Sequence, residues 1–219
     1  MTVNARALDP RVRSLLHDAA RWMLLGRLFE CPGDRWRRDL AAVSGEVEDA
    51  ELHAAVRAAL DEATEGGYHS VFGPGGPAPP REASYCESIE LGSLMSELAA
   101  YYEAFGYHPS AREAPDHVAV EVGFLAYLRL KEAHALAAGD ADCAGITAEA
   151  AARFRTDHLA VVAAPLAALL AASDITYLAH ASAQLAARVG PPPRRTFLPV
   201  IQESDMDADG SEFPCADGT

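Results

Sequence analysis

The stretch "LAVVAAPLAALLAA", residues 159–172, limits the fold more than any other part of the chain. At 14 residues it is too short to cross a bilayer, and it reads as a buried helix that other helices must cover. Pro165 lies within it and is expected to break or restart that helix, because proline lacks an N–H and clashes with the preceding turn. Its alanine richness recurs along the chain, while aromatics make up only 7% of the residues. Alanine is the best helix former and a poor strand former, so closely packed helices are favoured over a sandwich.

Helix signals account for most of the chain. "LDPRVRSLLHDAARWMLLGRLFECPG" sets Asp9 as N-cap and Pro10 in the first turn, with Leu15, Trp22, Leu25 and Phe29 at helical spacing and Pro32-Gly33 as the stop. Further helices are expected at about 35–43, 47–63 (ended by Gly66-Gly67), 88–105, 115–137 and 147–163. The last follows "SD", with Ser173 or Asp174 as cap and Gly190 as terminator. "GPGGPAPPR", residues 73–81, excludes regular structure. With no repeat and no strand pattern, the reading is all-α: one helical bundle over residues 1–190 and a Pro-rich, acidic, flexible tail over 191–219.

The formal charge of −14 repels phosphate backbones, which argues against nucleic acid and suits a basic partner such as an Arg-bearing peptide. Cys31, Cys86, Cys143 and Cys215 show no CxxC and no paired His spacing, so neither a disulfide framework nor a zinc site is indicated. "MTVNARALDPRVR" has no apolar core of an export signal, and a soluble, cytoplasmic protein with no stable membrane association is expected. No cofactor is indicated, and no phosphate-cradling loop points to a nucleotide.

"APDHVAVEVGF", residues 114–124, places Asp116 and His117 at a helix start and Glu121 one turn later. At 100° per residue His117, Glu121, Phe124 and Leu128 share one face, within an apolar stripe. On residue types alone three readings stay open. Asp116 caps the helix while His117 and Glu121 satisfy each other; or the three do acid–base catalysis; or HxxxE is half of a metal site. Metal binding needs further ligands and catalysis a nucleophile, and neither is recognisable. A second pair, Asp157-His158, reads as a satisfied bundle histidine. Tyr101, Tyr102 and Phe105, on the helix "LMSELAAYYEAFGY", read either as core or as the lining of a peptide groove.

"AYYEAFGYHPSAREAPDHVAVEVGFLAYLRLKEAHAL" resembles the signature region of the TorD/DmsD/NarJ superfamily, the all-helical chaperones of molybdenum enzymes of the DMSO reductase family. The matching elements are the Tyr101–Gly106 helix end, then Glu113, Pro115, Asp116 and His117, then Glu121, Phe124, Leu125 and Leu128. "FRTDHLAVVAAPLAALL" is similar to a second family segment through Phe154, His158, Leu159 and Pro165, with Val162 where a Trp is common. The 73–81 loop and "REASYCES" resemble the subgroup serving type II enzymes, with the usual "PPYE" altered.

The resemblance implies a non-enzymatic cytoplasmic chaperone. It binds the twin-arginine signal peptide or N-terminus of an apo catalytic subunit until the molybdenum cofactor is inserted, before export. Pro115, Asp116 and His117 would line the site, with Asp116 pairing a client arginine and Glu121 orienting His117. Tyr101, Tyr102, Phe105 and Phe124 would take the apolar part of the peptide. The alternatives are a nitrate reductase delta-type assembly factor for a non-exported client and, from another class, an acid–base enzyme using Asp116, His117 and Glu121. Both a monomer and a helix-exchanged dimer are compatible with the family.

The tail holds Arg194-Arg195-Thr196-Phe197-Leu198, which mimics the core of a twin-arginine signal. Either it packs as a basic stretch on the acidic body, or Arg194, Arg195, Phe197 and Leu198 occupy the peptide groove as a tethered self-ligand.

Overall fold

The computed structural model describes residues 8–86, 91–109 and 113–191; the tail arginines and the Phe197-Leu198 pair lie outside them. The described chain is all-α. Its helices are α1 (Pro10–Leu28), α2 (Trp36–Ser44), α3 (Ala50–Glu62), α4 (Glu65–Phe72), α5 (Leu91–Phe105), α6 (Val118–Ala138), α7 (Ala141–Phe154), α8 (Ala160–Leu170) and α9 (Thr176–Val189). A 3₁₀ turn spans Glu82–Tyr85, and a π turn, Arg155–Leu159, joins α7 to α8 without a break.

α6 is the central helix. Nearly every residue from Val118 to Ala126 is buried, so neighbours cover it on all sides. α1 lies along it, and the two backbones come close at glycines: a Cβ on Gly26 would stand 3.4 Å from the Gly123 nitrogen. α7 packs on the opposite flank of α6, while α3, α8 and α9 complete the bundle. Trp22, Leu24, Leu25, Leu28, Phe124 and Phe154 fill the interior between these layers.

Several boundaries differ from the sequence expectation, each for a local reason. α3 starts at Ala50, not near 47, because the Asp49 carboxylate accepts from Leu52 N (3.0 Å). Gly66 and Gly67 do not end a helix; they lie in the first turn of α4, where Thr64 Oγ1 accepts from Gly67 N at 3.0 Å. A Cβ on Gly67 would crowd that same hydroxyl at 3.1 Å, so glycine there makes room for the cap. α7 begins at Ala141, capped by Asp140, directly after Gly139 closes α6 in the left-handed region at φ 79°.

Neither Ser173 nor Asp174 caps α9. The N-cap is Ile175, and Glu62 of α3 reaches across to accept from Tyr177 N at 2.7 Å. Pro165 neither breaks nor restarts a helix. α8 runs through it, giving up only the bond its missing N–H would have made to Val161. The apolar run is buried on one side only: Val162, Ala163, Leu166 and Leu170 face the core, while Leu169 is 40% exposed. Alanines on its outer face lose little by meeting water.

Candidate functional site

Pro115 begins the turn that positions the site. The Ala114 carbonyl accepts from His117 N (3.0 Å), closing a tight turn, and the Tyr102 hydroxyl donates to the Pro115 carbonyl at 2.7 Å. His117, not Asp116, caps α6. Its Nδ1 accepts from Ala119 N at 3.1 Å, which places the neutral ring's proton on Nε2. Nε2 faces the Tyr68 hydroxyl at 3.1 Å, and that hydroxyl donates onward to the Phe29 carbonyl at 3.3 Å. Burial holds His117 at a pKa of about 4, overcoming the pull of neighbouring Asp116; Arg81 pushes in the same direction as burial. The imidazole is therefore neutral at physiological pH.

Asp116 has no exposed surface, and it is not the residue that caps α6. It accepts from Arg81 Nε at 2.8 Å and from Ala83 N at 3.4 Å. The backbone joins the same two segments: Glu82 N donates to Asp116 O and Val118 N to Pro80 O, both at 2.8 Å, flanking a bridge between Arg81 and His117. The end of the Pro-rich loop is thus stitched to the Pro-Asp-His turn. Gly76 makes the bend leading there, since a Cβ on it would stand 2.2 Å from the Val71 carbonyl oxygen.

Beneath this turn lies a buried acid cluster. Glu82, 1% exposed, meets His158 Nδ1 at 3.0 Å. Glu121, fully enclosed, lies against the Glu82 side chain. Burial first, then the nearby Glu82 and Asp116 carboxylates, raise the Glu121 pKa well above the usual carboxylate range. Burial and these neighbours favour the protonated form of Glu121. Glu121 does not satisfy or orient His117, whose two nitrogens are taken by Ala119 and Tyr68.

The aromatic residues divide into two groups. Tyr102 and Phe124 are core, packed edge to face at 4.9 Å between centroids, with Phe154 4.7 Å from Phe124. Tyr101 and Phe105 are half-buried at the rim of that cluster. Tyr101 opens on a separate groove with Ile146 and Arg153, not on the one beside His117. His158 meets Glu82 through Nδ1 while its buried Nε2 has no hydrogen-bond partner among the described residues, so the expectation of a satisfied bundle histidine holds for one nitrogen only.

A cleft of about 250 Å³ opens beside the Pro-Asp-His turn. His117 and Tyr68 stand at its base, Phe72, Pro74 and Pro80 give it apolar walls, and Arg81 and Glu113 supply opposite charges. The sequence does not signal Tyr68, Phe72 and Arg81 as site residues, because Arg81 sits 35 residues before Asp116 and the two glycines in the first turn of α4 signal a helix end. An acid, a histidine and a Pro-rich loop give no spacing signal for one another.

A family model described as nitrate reductase delta subunit matches residues 40–161, over half the chain and including every part of this cleft. Neither a curated protein nor a solved structure matches. The chain belongs to the nitrate reductase delta subunit family, and so to the TorD/DmsD/NarJ superfamily of molybdoenzyme maturation chaperones. In general terms it is a redox-enzyme maturation chaperone, an assembly factor and not a catalyst. No helix among the described residues is long and apolar enough to cross a membrane.

Proposed function

We propose that this chaperone binds the N-terminal segment of a molybdenum-containing catalytic subunit of the DMSO reductase family and holds the apo-enzyme for cofactor insertion before export. The cleft beside His117 carries this reading. It joins aromatic and proline walls, suited to an apolar stretch, to Glu113 at the rim, suited to a basic one. Asp116 is already paired by Arg81, so a client arginine would meet Glu113 first and reach Asp116 only by displacing Arg81. Pro115, Asp116 and His117 then shape the site, with Tyr102, Glu121 and Phe124 supporting it from the core. Tyr101 and Phe105 extend a contact surface on the neighbouring rim.

A second reading is favoured by the description of the matching family: an assembly factor whose client is not exported. Two peptides separate the readings, a twin-arginine signal and the N-terminus of a cytoplasm-facing catalytic subunit, titrated calorimetrically against the full chain. Preference for the first supports an exported client and preference for the second a resident one. Binding to neither would overturn both.

A further inference from the structure

Outside the Pro-Asp-His turn, one cluster joins side chains that chain spacing keeps apart. Cys31 lies in the turn after α1, 38 residues before His69. The Thr64 cap starts α4 so that Glu65 and His69 fall one turn apart on the same helix face. Cys31 Sγ stands 3.8 Å from His69 Nε2, and His69 Nε2 stands 3.8 Å from Glu65 Oε1. All three donor atoms lie within 4.8 Å of one another.

A tetrahedral ion with bonds of about 2.0–2.3 Å separates its ligand atoms by roughly 3.3–3.7 Å. The three side chains need to close only slightly to reach that spacing. Glu65 and His69 are well exposed and free to do so, while Cys31 is half-buried. Exposed glutamate–histidine pairs are common on helices. The thiol delivered from another element is what sets this cluster apart. Thiolate, imidazole and carboxylate together suit a borderline-soft cation, not magnesium or calcium.

The local charge points the same way. The carboxylates of Glu65 and Glu113 surround the Cys31 sulfur with negative charge. A divalent cation would be attracted by that charge, binding the thiolate as the thiol proton leaves to solvent. His69 also lines the cleft beside His117, so a position left open on such an ion would face the cleft mouth.

We propose that Cys31, Glu65 and His69 form a site for one zinc-class divalent cation, its fourth position held by water at the edge of the Pro-Asp-His cleft. The site stands or falls independently of which client peptide binds. Cobalt(II) titrated into the metal-free full-length protein tests it. One equivalent should produce the absorption of tetrahedral cobalt together with a thiolate-to-cobalt charge-transfer band, and zinc should erase both.

Cys31→Ser should abolish the charge-transfer band, and Cys143→Ser should leave it unchanged. His69→Gln alters an exposed side chain and so leaves folding intact. Losing a direct ligand there should weaken cobalt binding by at least about tenfold, since even outer-shell losses reach that size. Absence of the charge-transfer band in the parent protein, its survival in Cys31→Ser, or unchanged affinity in His69→Gln would each overturn the assignment.

Discussion

His117 makes the stability of the fold depend on pH. The ring is 3% exposed, and its Nδ1 serves as an acceptor for Ala119 N. Protonation would bury a cation and point a second N–H at that donor. Burial lowers the pKa from 6.5 to about 4, so the unfolded chain takes up the proton first. The stabilisation is complete above pH 6.5 and is lost as pH falls through 6.5 towards 4. At about 1.36 kcal/mol per pH unit the full loss is about 3 kcal/mol, of which about 2 kcal/mol has gone by roughly pH 5.

His117→Asn keeps an oxygen acceptor at the cap and does not titrate. It gives up the Tyr68 contact at a pH-independent cost of about 1 kcal/mol. Urea unfolding followed by far-UV circular dichroism, from near neutrality to mild acid, measures the difference. The parent chain should lose about 2 kcal/mol more than the variant across that range. Parallel pH profiles would refute the assignment of His117 as a neutral, buried cap.

Glu121→Gln should make the protein more stable near neutral pH. The raised pKa means that the folded chain holds a proton the unfolded chain releases above 4.5, so stability falls as pH rises towards the folded-state value. The variant lacks that decline, and its advantage in thermal unfolding should widen with pH. Arg81→Ala leaves the Asp116 carboxylate enclosed without its charge partner and should cost about 2–3 kcal/mol. The Asp116→Ala/Arg81→Ala pair should recover part of that loss in denaturant titrations. Gly76→Ala should cost about 2 kcal/mol or more, because the added methyl meets the Val71 carbonyl oxygen at 2.2 Å, and its thermal midpoint should drop accordingly.

Helix capping explains what could and could not be read from the sequence. Asp9 before Pro10 and Gly190 after Val189 act within their own helices, so local spacing located those ends. The start of α9 was illegible, because its free N–H is satisfied by Glu62, 115 residues away. α4 is hidden for a different reason: two glycines signal an end, and only the Thr64 hydroxyl beside them turns the pair into a helix start. The motif resemblance picks out Pro115, Asp116 and His117, which form the turn beside the cleft. It gave no sign that Arg81 neutralises Asp116 or that His117 is the cap, since both depend on where the Pro-rich loop returns. The apolar stripe through Glu121 and Phe124 correctly marked buried positions, since both side chains are enclosed in the core.

Glu113 offers the most direct test of the cleft as the client site. It is half-buried at the rim, forms no part of the stitched turn, and can be reversed in charge without disturbing the core. A peptide matching the N-terminus of the molybdoenzyme catalytic subunit from the same genome would be titrated calorimetrically into the parent chain and into Glu113→Lys. One-to-one binding to the parent and at least tenfold weaker binding to the variant are expected, about 1.4 kcal/mol for a single charge-assisted contact. Equal affinity for both proteins would contradict placement of the client in this cleft.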